Sequence, residues 1–414
     1  MSRRRVVMTG LGVVSSIGLG KEAFWRALLA GQSGIKRIQS FDVSLYPAQI
    51  AGEILDFPAE EFFPCGATSR FSRASQLALV ASQMALEDAC LDWKNCETDR
   101  IGTVIGTALG GNEVYENQLR RLMETNNPRR VHPLSVPLIM ANAPAAEIAI
   151  HYGLKGPNMT VSAACSSGSH AIGYALDLIR SGRVDIMTAG GTEACIVPGV
   201  FAGFNSLRAL SLRNNEPERA SRPFDRTRDG FTIGEGAGVL ILETLESAKQ
   251  RGVRIYAEVA GYAAACEACH IVHPEATGTE QARVMDLALK DAGISADQVD
   301  YINTHGTSTV LNDLTETNAI KKLFGPHAYR ISLNSTKSMI GHTIGAAGAV
   351  EAIVCALTLH HKILHPTINY ENSDPDCDLD YTPNHARAKE VYVALSNSFG
   401  FGSNNACLVM KALS

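Results

Sequence analysis

Cys165 is the side chain in this 414-residue chain best placed for covalent chemistry. It lies in the run Val161-Ser162-Ala163-Ala164-Cys165-Ser166-Ser167-Gly168-Ser169-His170. Residues 158–163 read as a short buried strand. Ala171, Ile172, Ala175, Leu176 and Ile179 then recur at helical spacing until Ser181-Gly182 closes the run. The thiol is thereby placed at the start of a helix, where free backbone N–H groups and the positive end of the helix dipole favour a thiolate and can hold an oxyanion. A nucleophile with its own anion site suits acyl transfer. An arbitrary cysteine is more often a small buried apolar residue, and nine others share the chain. The small, polar Ser-Ser-Gly that follows Cys165 sets it apart, because it lets another molecule approach the sulfur.

The elements that must hold this thiol belong to a repeated pattern. Residues 85–90 precede an acidic loop and the strand-like run 100–107, just as residues 288–293 precede the run 299–307. Residues 5–14 and 254–263 each open with a strand, and 236–243 resembles 405–411. The pattern predicts a duplicated β/α unit with a seam near residue 253, hence an α/β chain with layered sheets and helices between and outside them. Two halves packed about a pseudo-two-fold axis would bring corresponding turns together, so that Cys165 meets histidines of the second half.

Composition narrows the classes. With 45% hydrophobic and 19% charged residues, the chain can bury a large core as two intimately joined halves. No segment reads as a membrane span, and the basic start Met1-Ser2-Arg3-Arg4-Arg5 leads into a glycine-interrupted strand rather than a signal peptide. Ten cysteines without a compact framework fit free thiols in the cytosol or an equivalent reducing compartment. A net charge of −5 argues against nucleic acid as a partner.

Six segments together carry a resemblance: the Cys165 turn, residues 224–231, residues 234–238, Asn303-Thr304-His305-Gly306-Thr307-Ser308-Thr309, residues 334–342 ending in Gly341-His342, and Asn397-Ser398-Phe399-Gly400-Phe401-Gly402. On these the chain resembles the β-ketoacyl-acyl carrier protein synthases, decarboxylating condensing enzymes of the thiolase-like superfamily, over nearly its whole length. The resemblance implies a layered αβαβα architecture. Residues 1–253 would form the half with the nucleophilic cysteine, and residues 254–414 the half with the catalytic histidines.

It also implies roles that chemistry can justify. Cys165 takes the acyl chain as a thioester, splitting one difficult condensation into two steps. Decarboxylation of a malonyl thioester leaves an enolate, which the neutral imidazoles of His305 and His342 stabilise by donating N–H bonds. One of the two also assists the departing carboxylate or activates water. Lys337 supplies positive charge nearby. Glu351 interrupts an apolar, Ala-rich helix, where an unpaired carboxylate is costly, so it is expected to pair with Lys337. Phe401, flanked by glycines, would complete the oxyanion hole with its backbone N–H and gate the site with its ring. Thr307 and Thr309 would bond a phosphopantetheine arm carried by the substrate, with no cofactor of the protein's own. Leu109 and Phe231 would line the acyl tunnel. Arg70, Arg129, Arg130 and Arg208 would dock an acidic acyl carrier protein.

The chain departs from the family pattern at Phe71, where a lysine is frequent, at Ser403-Asn404, where Gly-Thr is commoner, and at Val310, where proline is frequent. The match around residues 377–383 is most similar to the synthase II branch, which elongates longer chains in the dissociated systems of bacteria and plastids, as a homodimer. A polyketide ketosynthase uses the same residues. A non-catalytic chain-length factor shares the fold but typically lacks the nucleophile. Cys266-Glu267-Ala268-Cys269-His270, with His273, spells a haem-attachment or zinc-like pattern; a site from one short loop would crowd its ligands, so ordinary loop residues are expected there.

Overall fold

The computed structural model describes residues 3–63 and 68–413; Met1, Ser2 and Cys65 lie outside them. The strands that organise the site are β1 (Val6–Ser15), β2 (Ile101–Gly106), β3 (Asn158–Val161), β4 (Ile186–Glu193) and β5 (Gly236–Thr244), followed by β6 (Ala257–Cys266), β7 (Tyr301–Asn303), β8 (Ser332–Asn334), β9 (Val393–Gly400) and β10 (Asn404–Lys411). The helices are α1 (Arg73–Asp88), α2 (Asn112–Thr125), α3 (Ser167–Arg180), α4 (Thr279–Ala292), α5 (Val310–Phe324) and α6 (Ala347–His361).

The strands join into one sheet in the order β3-β2-β4-β5-β1-β6-β10-β9-β7-β8. Read outward from the centre, the order is the same on both sides, and so are the directions. β2 is parallel to β3 and β4, whereas β5 is antiparallel to β4 and β1. In the same way β7 is parallel to β8 and β9, whereas β10 is antiparallel to β9 and β6. β1 and β6 pair antiparallel at the join, Val7 opposite Glu258 and Met8 opposite Ala257. All ten residues of β1 are buried, which fits its nearly unbroken apolar run: both of its faces are covered.

Helix α1 packs on β1 and β5, and α4 on β6 and β10. Helices α3 and α6 lie against each other and touch strands of both halves, so they form the middle layer of a helix–sheet–helix–sheet–helix stack in which each half of the continuous sheet supplies one sheet layer. Glycine makes their approach possible. A Cβ on Gly168 would sit 2.8 Å from the Ala349 nitrogen, and one on Gly348 would sit 2.1 Å from Ser169 Oγ. Next to this contact the Ser169 and Ser398 hydroxyls share a buried hydrogen bond of 2.8 Å. The starts of the two central helices are therefore held side by side, with the turn that carries Cys165 ahead of one and the turn that carries His342 ahead of the other.

Two expectations are corrected. Residues 158–163 do not form a buried strand: β3 is an edge strand paired only with β2, and Asn158 and Met159 are exposed. Also, one stretch does have the length and apolarity of a membrane span, Ile344–His361, with a mean hydropathy of 1.4; it is 89% buried inside the fold. Its composition follows from being a central helix with protein on every side.

Candidate active site

Between β3 and α3 the chain reverses within a few residues. Ala164 takes φ +49°, a left-handed conformation uncommon outside glycine. The turn is held by Ser166 N–H to the Ala163 carbonyl, Ser167 N–H to the Ala164 carbonyl, and Ala163 N–H to Ser167 Oγ at 2.9 Å. These bonds consume the N–H groups expected to stabilise a thiolate. Cys165 is 6% exposed, and burial pushes its thiol up to about 11, opposed by the Phe401 backbone N–H and the charge of Lys337. Desolvation thus opposes the preference for a thiolate expected from the helix start. The Phe401 N–H is directed at the sulfur. A Cβ on Gly400 would lie 3.2 Å from the Cys165 nitrogen, so glycine lets these backbones approach.

His342 stands at the equivalent turn ahead of α6. Its backbone is pinned to the first half, its N–H donating to the Thr232 carbonyl at 2.7 Å and its carbonyl accepting from Gly234 N–H at 2.9 Å. The ring's Nδ1 accepts from the Ile344 N–H at 3.1 Å, so the neutral ring carries its proton on Nε2, which is buried and has no protein partner. His305 follows β7. Its Nδ1 lies 3.4 Å from Lys337 Nζ, which leaves Nε2 as its N–H as well. The rings are 5.2 Å apart, centroid to centroid, and nearly perpendicular at 83°. Burial first, then the charge of Lys337, holds both well below the usual histidine value. Both imidazoles are neutral donors.

Lys337 and Glu351 form a buried ion pair, their side chains 1% and 2% exposed. Burial pushes the Glu351 carboxyl up to about 7, while Lys337 pulls it down. The loop carrying His305 is gripped from below by Glu316 of α5, which accepts from the His305 N–H at 2.9 Å, the Gly306 N–H at 2.8 Å and Asn397 Nδ2 at 3.1 Å. In the first half Glu193, at the end of β4, accepts from Thr107 Oγ1, the N–H groups of Ala108 and Leu109, and the Gly345 N–H. Sequence reading missed both carboxylates. The signal for Glu193 was present: an acid closing a strand of otherwise small and apolar residues.

Cys165, His305, His342, Phe401, Thr307, Thr309, Leu109, Phe231 and Arg208 all line one cavity of about 700 Å³. Around Phe231 and Ile344 its wall is apolar and joins a cluster with Cys195, Ile196 and Phe201. Thr307 and Thr309 share a hydroxyl–hydroxyl hydrogen bond of 2.9 Å, and Thr309 also caps α5 through the Asn312 N–H. Arg70, Arg129 and Arg130 are exposed on two short turns and do not line the cavity. Phe71 packs its ring on Phe63, 5.2 Å away. Ser403 takes φ +64° and donates from Oγ to the His270 carbonyl at 3.0 Å, so the Ser403 departure gives the Phe401 turn a tie that glycine cannot make. Cys269, His270 and His273 belong to that neighbouring loop. The two rings stack at 4.6 Å. Among the described residues no group of three or more His, Cys, Asp or Glu is placed to hold a metal ion.

Residues 3–248 match the Beta-ketoacyl synthase, N-terminal domain, and residues 256–371 match the Beta-ketoacyl synthase, C-terminal domain. The chain belongs to the beta-ketoacyl synthase family. Within that family it is 47% identical, over 99% of both chains, to a 3-oxoacyl-[acyl-carrier-protein] synthase 2 of Synechocystis, and 44% identical, also over 99% of both, to that of Coxiella burnetii. Among solved structures it resembles the ishigamide ketosynthase/chain length factor (TM-score 0.94, 38% identity, all of both chains). It also resembles a type II polyketide assembly in which an acyl-carrier protein is bound to its ketosynthase with a hexaketide (TM-score 0.92, 37% identity, all of both chains). These thiolase-like neighbours agree with the layered fold.

Proposed function

We propose that the chain elongates acyl groups by decarboxylating condensation with malonyl-acyl carrier protein, as a 3-oxoacyl-acyl carrier protein synthase of the type 2 branch. The observation that carries this reading is a buried thiol sharing one cavity with two neutral imidazoles whose Nε2–H groups are free to donate.

In the first step Cys165 Sγ attacks the thioester carbonyl of an acyl carrier protein. The backbone N–H groups of Cys165 and Phe401 hold the oxyanion, a Cys165 thioester forms, and the thiol proton ends on the departing phosphopantetheine sulfur. In the second step malonyl-acyl carrier protein loses carbon dioxide, and the electron pair of the broken bond enters an enolate. His305 and His342 donate to its oxygen. The enolate carbon attacks the Cys165 thioester, giving 3-oxoacyl-acyl carrier protein, and Cys165 takes up one proton. Lys337, held by Glu351, fixes the tautomer of His305 and is a positioning residue. Loss of carbon dioxide drives the step, so the reaction needs no redox cofactor, and the substrate brings its own phosphopantetheine.

Thr307 and Thr309 would bond that arm, and Leu109 and Phe231 would shape the acyl chamber. Arg208 at the mouth, with Arg70, Arg129 and Arg130, would receive the acidic carrier. A homodimer is part of the same reading. It is supported by the exposed edge strand β3 with Met159, and by Tyr115, Leu119 and Met123 exposed along α2, which buries no residue. The described cysteines are free thiols, which supports a cytoplasmic or plastid-stroma setting.

The halves are read as 1–253 and 254–414. The polyketide reading stays beside this one because the solved neighbours include a type II polyketide ketosynthase; the presence of Cys165 speaks against a chain-length factor. Condensation assays with malonyl-acyl carrier protein and saturated acyl carriers of graded length test the choice. Turnover on saturated primers is expected, whereas turnover on poly-β-keto chains alone would overturn the fatty-acid assignment.

A further inference from the structure

Of the side chains that line the cavity, two have buried polar atoms without a protein partner: His342, at Nε2, and Gln281, at both Nε2 and Oε1. The His342 donor is accounted for by the developing enolate. Gln281 is not used by any step above. It sits in the first turn of α4 and is 1% exposed. Among the described residues it is the one buried amide side chain with neither its nitrogen nor its oxygen paired to protein.

Its neighbours along the same wall are satisfied. Asn312 Nδ2 donates to Asp313 at 3.2 Å, Asn405 Nδ2 donates to Glu267 at 2.8 Å, and Thr307 and Thr309 bond each other. A buried primary amide with two donors and an acceptor unmet is unfavourable in the empty fold, and it is well matched to one class of group, a secondary amide offering both N–H and C=O. The cavity wall it shares with Thr307 and Thr309 is where the reaction requires the carrier's pantetheine arm, which contains two such amides.

We infer that Gln281 is a substrate-binding residue that recognises an amide of the pantetheine arm by hydrogen bonding in both directions. This rests on the condensing-enzyme reading of the cavity. Because the amide has no role inside the protein, its removal should leave the fold intact and act on the thioester alone.

Gln281→Met keeps the length of the side chain and removes its hydrogen bonds. The rate of Cys165 acylation, followed by intact-mass spectrometry, is compared for an acyl-pantetheine thioester and for the amide-free thioester of the same acyl group with 2-mercaptoethanol. The variant is expected to acylate about tenfold more slowly with acyl-pantetheine, the loss of one or two neutral hydrogen bonds. With the amide-free thioester it should stay within about twofold of the unaltered protein. Its melting temperature without substrate should be no lower.

Equal losses on the two thioesters, no loss on acyl-pantetheine, or a clear drop in melting temperature would each overturn the assignment. Failure of the unaltered protein to acquire an acyl group on Cys165 from either thioester would instead overturn the reaction reading beneath it.

Discussion

The turn ahead of α3 and the turn ahead of α6 hold equivalent places in two halves with the same strand order, yet one presents a thiol and the other an imidazole. The difference extends to what surrounds them. On the first-half side the cavity wall around Phe231 is apolar, and Glu193 ties the loop after β2 to Gly345, close behind His342. On the second-half side the wall carries Thr307, Thr309 and Gln281, and Glu316 grips the loop after β7 that holds His305. Duplication supplies two matched places for side chains at one interface. On the proposed function, divergence in residue type divides the work: the first half would hold the acyl chain and the second would handle the charge that appears when carbon dioxide leaves.

That division can be broken from either side. Cys165→Ala should abolish the acyl-enzyme and reduce condensation by on the order of 10⁴-fold or more, leaving the second half free to decarboxylate malonyl-acyl carrier protein. Product formation and released carbon dioxide, measured in parallel, separate the two. His305→Ala or His342→Ala should show the converse, with Cys165 still acylated and condensation down roughly 10²–10³-fold for the loss of one enolate donor.

Removing one partner of the buried ion pair, by Lys337→Met or Glu351→Leu, should destabilise the fold by about 3–5 kcal/mol in urea denaturation. Replacing both together should restore much of that stability while condensation stays impaired. Recovery of condensation in the double variant would show that the pair matters only for the fold. Glu316→Gln should slow condensation roughly tenfold and spare acylation, since its chief effect is to loosen the His305 loop.

The smallest effect sharpens the thiol side. With the Cys165 thiol raised to about 11, its thiolate fraction grows about tenfold per pH unit below that value, so alkylation by iodoacetamide should climb steadily from pH 6 to 9. A plateau near neutrality would mean that the turn stabilises the thiolate after all.

Much of this arrangement was legible in the sequence, for a definable reason. Cys165 lies in a short run where residue type and spacing fix local structure, whereas His305, His342 and Lys337 lie in the runs that carry the family resemblance. Glu351 could be paired in advance because an acid in an apolar helix demands a partner. What escaped notice depends on the third dimension. The exposure of Asn158 and Met159 is set by β3 being last in the sheet, which no local pattern records. The raised thiol follows from the burial of Cys165 inside the assembled fold, which no local pattern records either. Glu193, Glu316 and Gln281 matter through loops and walls distant in sequence, and only packing shows which backbone groups they meet or leave unmet.

The division of labour is tested most directly by intact-mass spectrometry of His342→Ala, first charged with an acyl carrier thioester and then mixed with malonyl-acyl carrier protein. The account predicts an adduct of one acyl group on Cys165 that persists after malonyl addition, while the same adduct on the unaltered protein discharges as 3-oxoacyl product. Failure of the variant to acquire the acyl group, or its normal discharge, would contradict it.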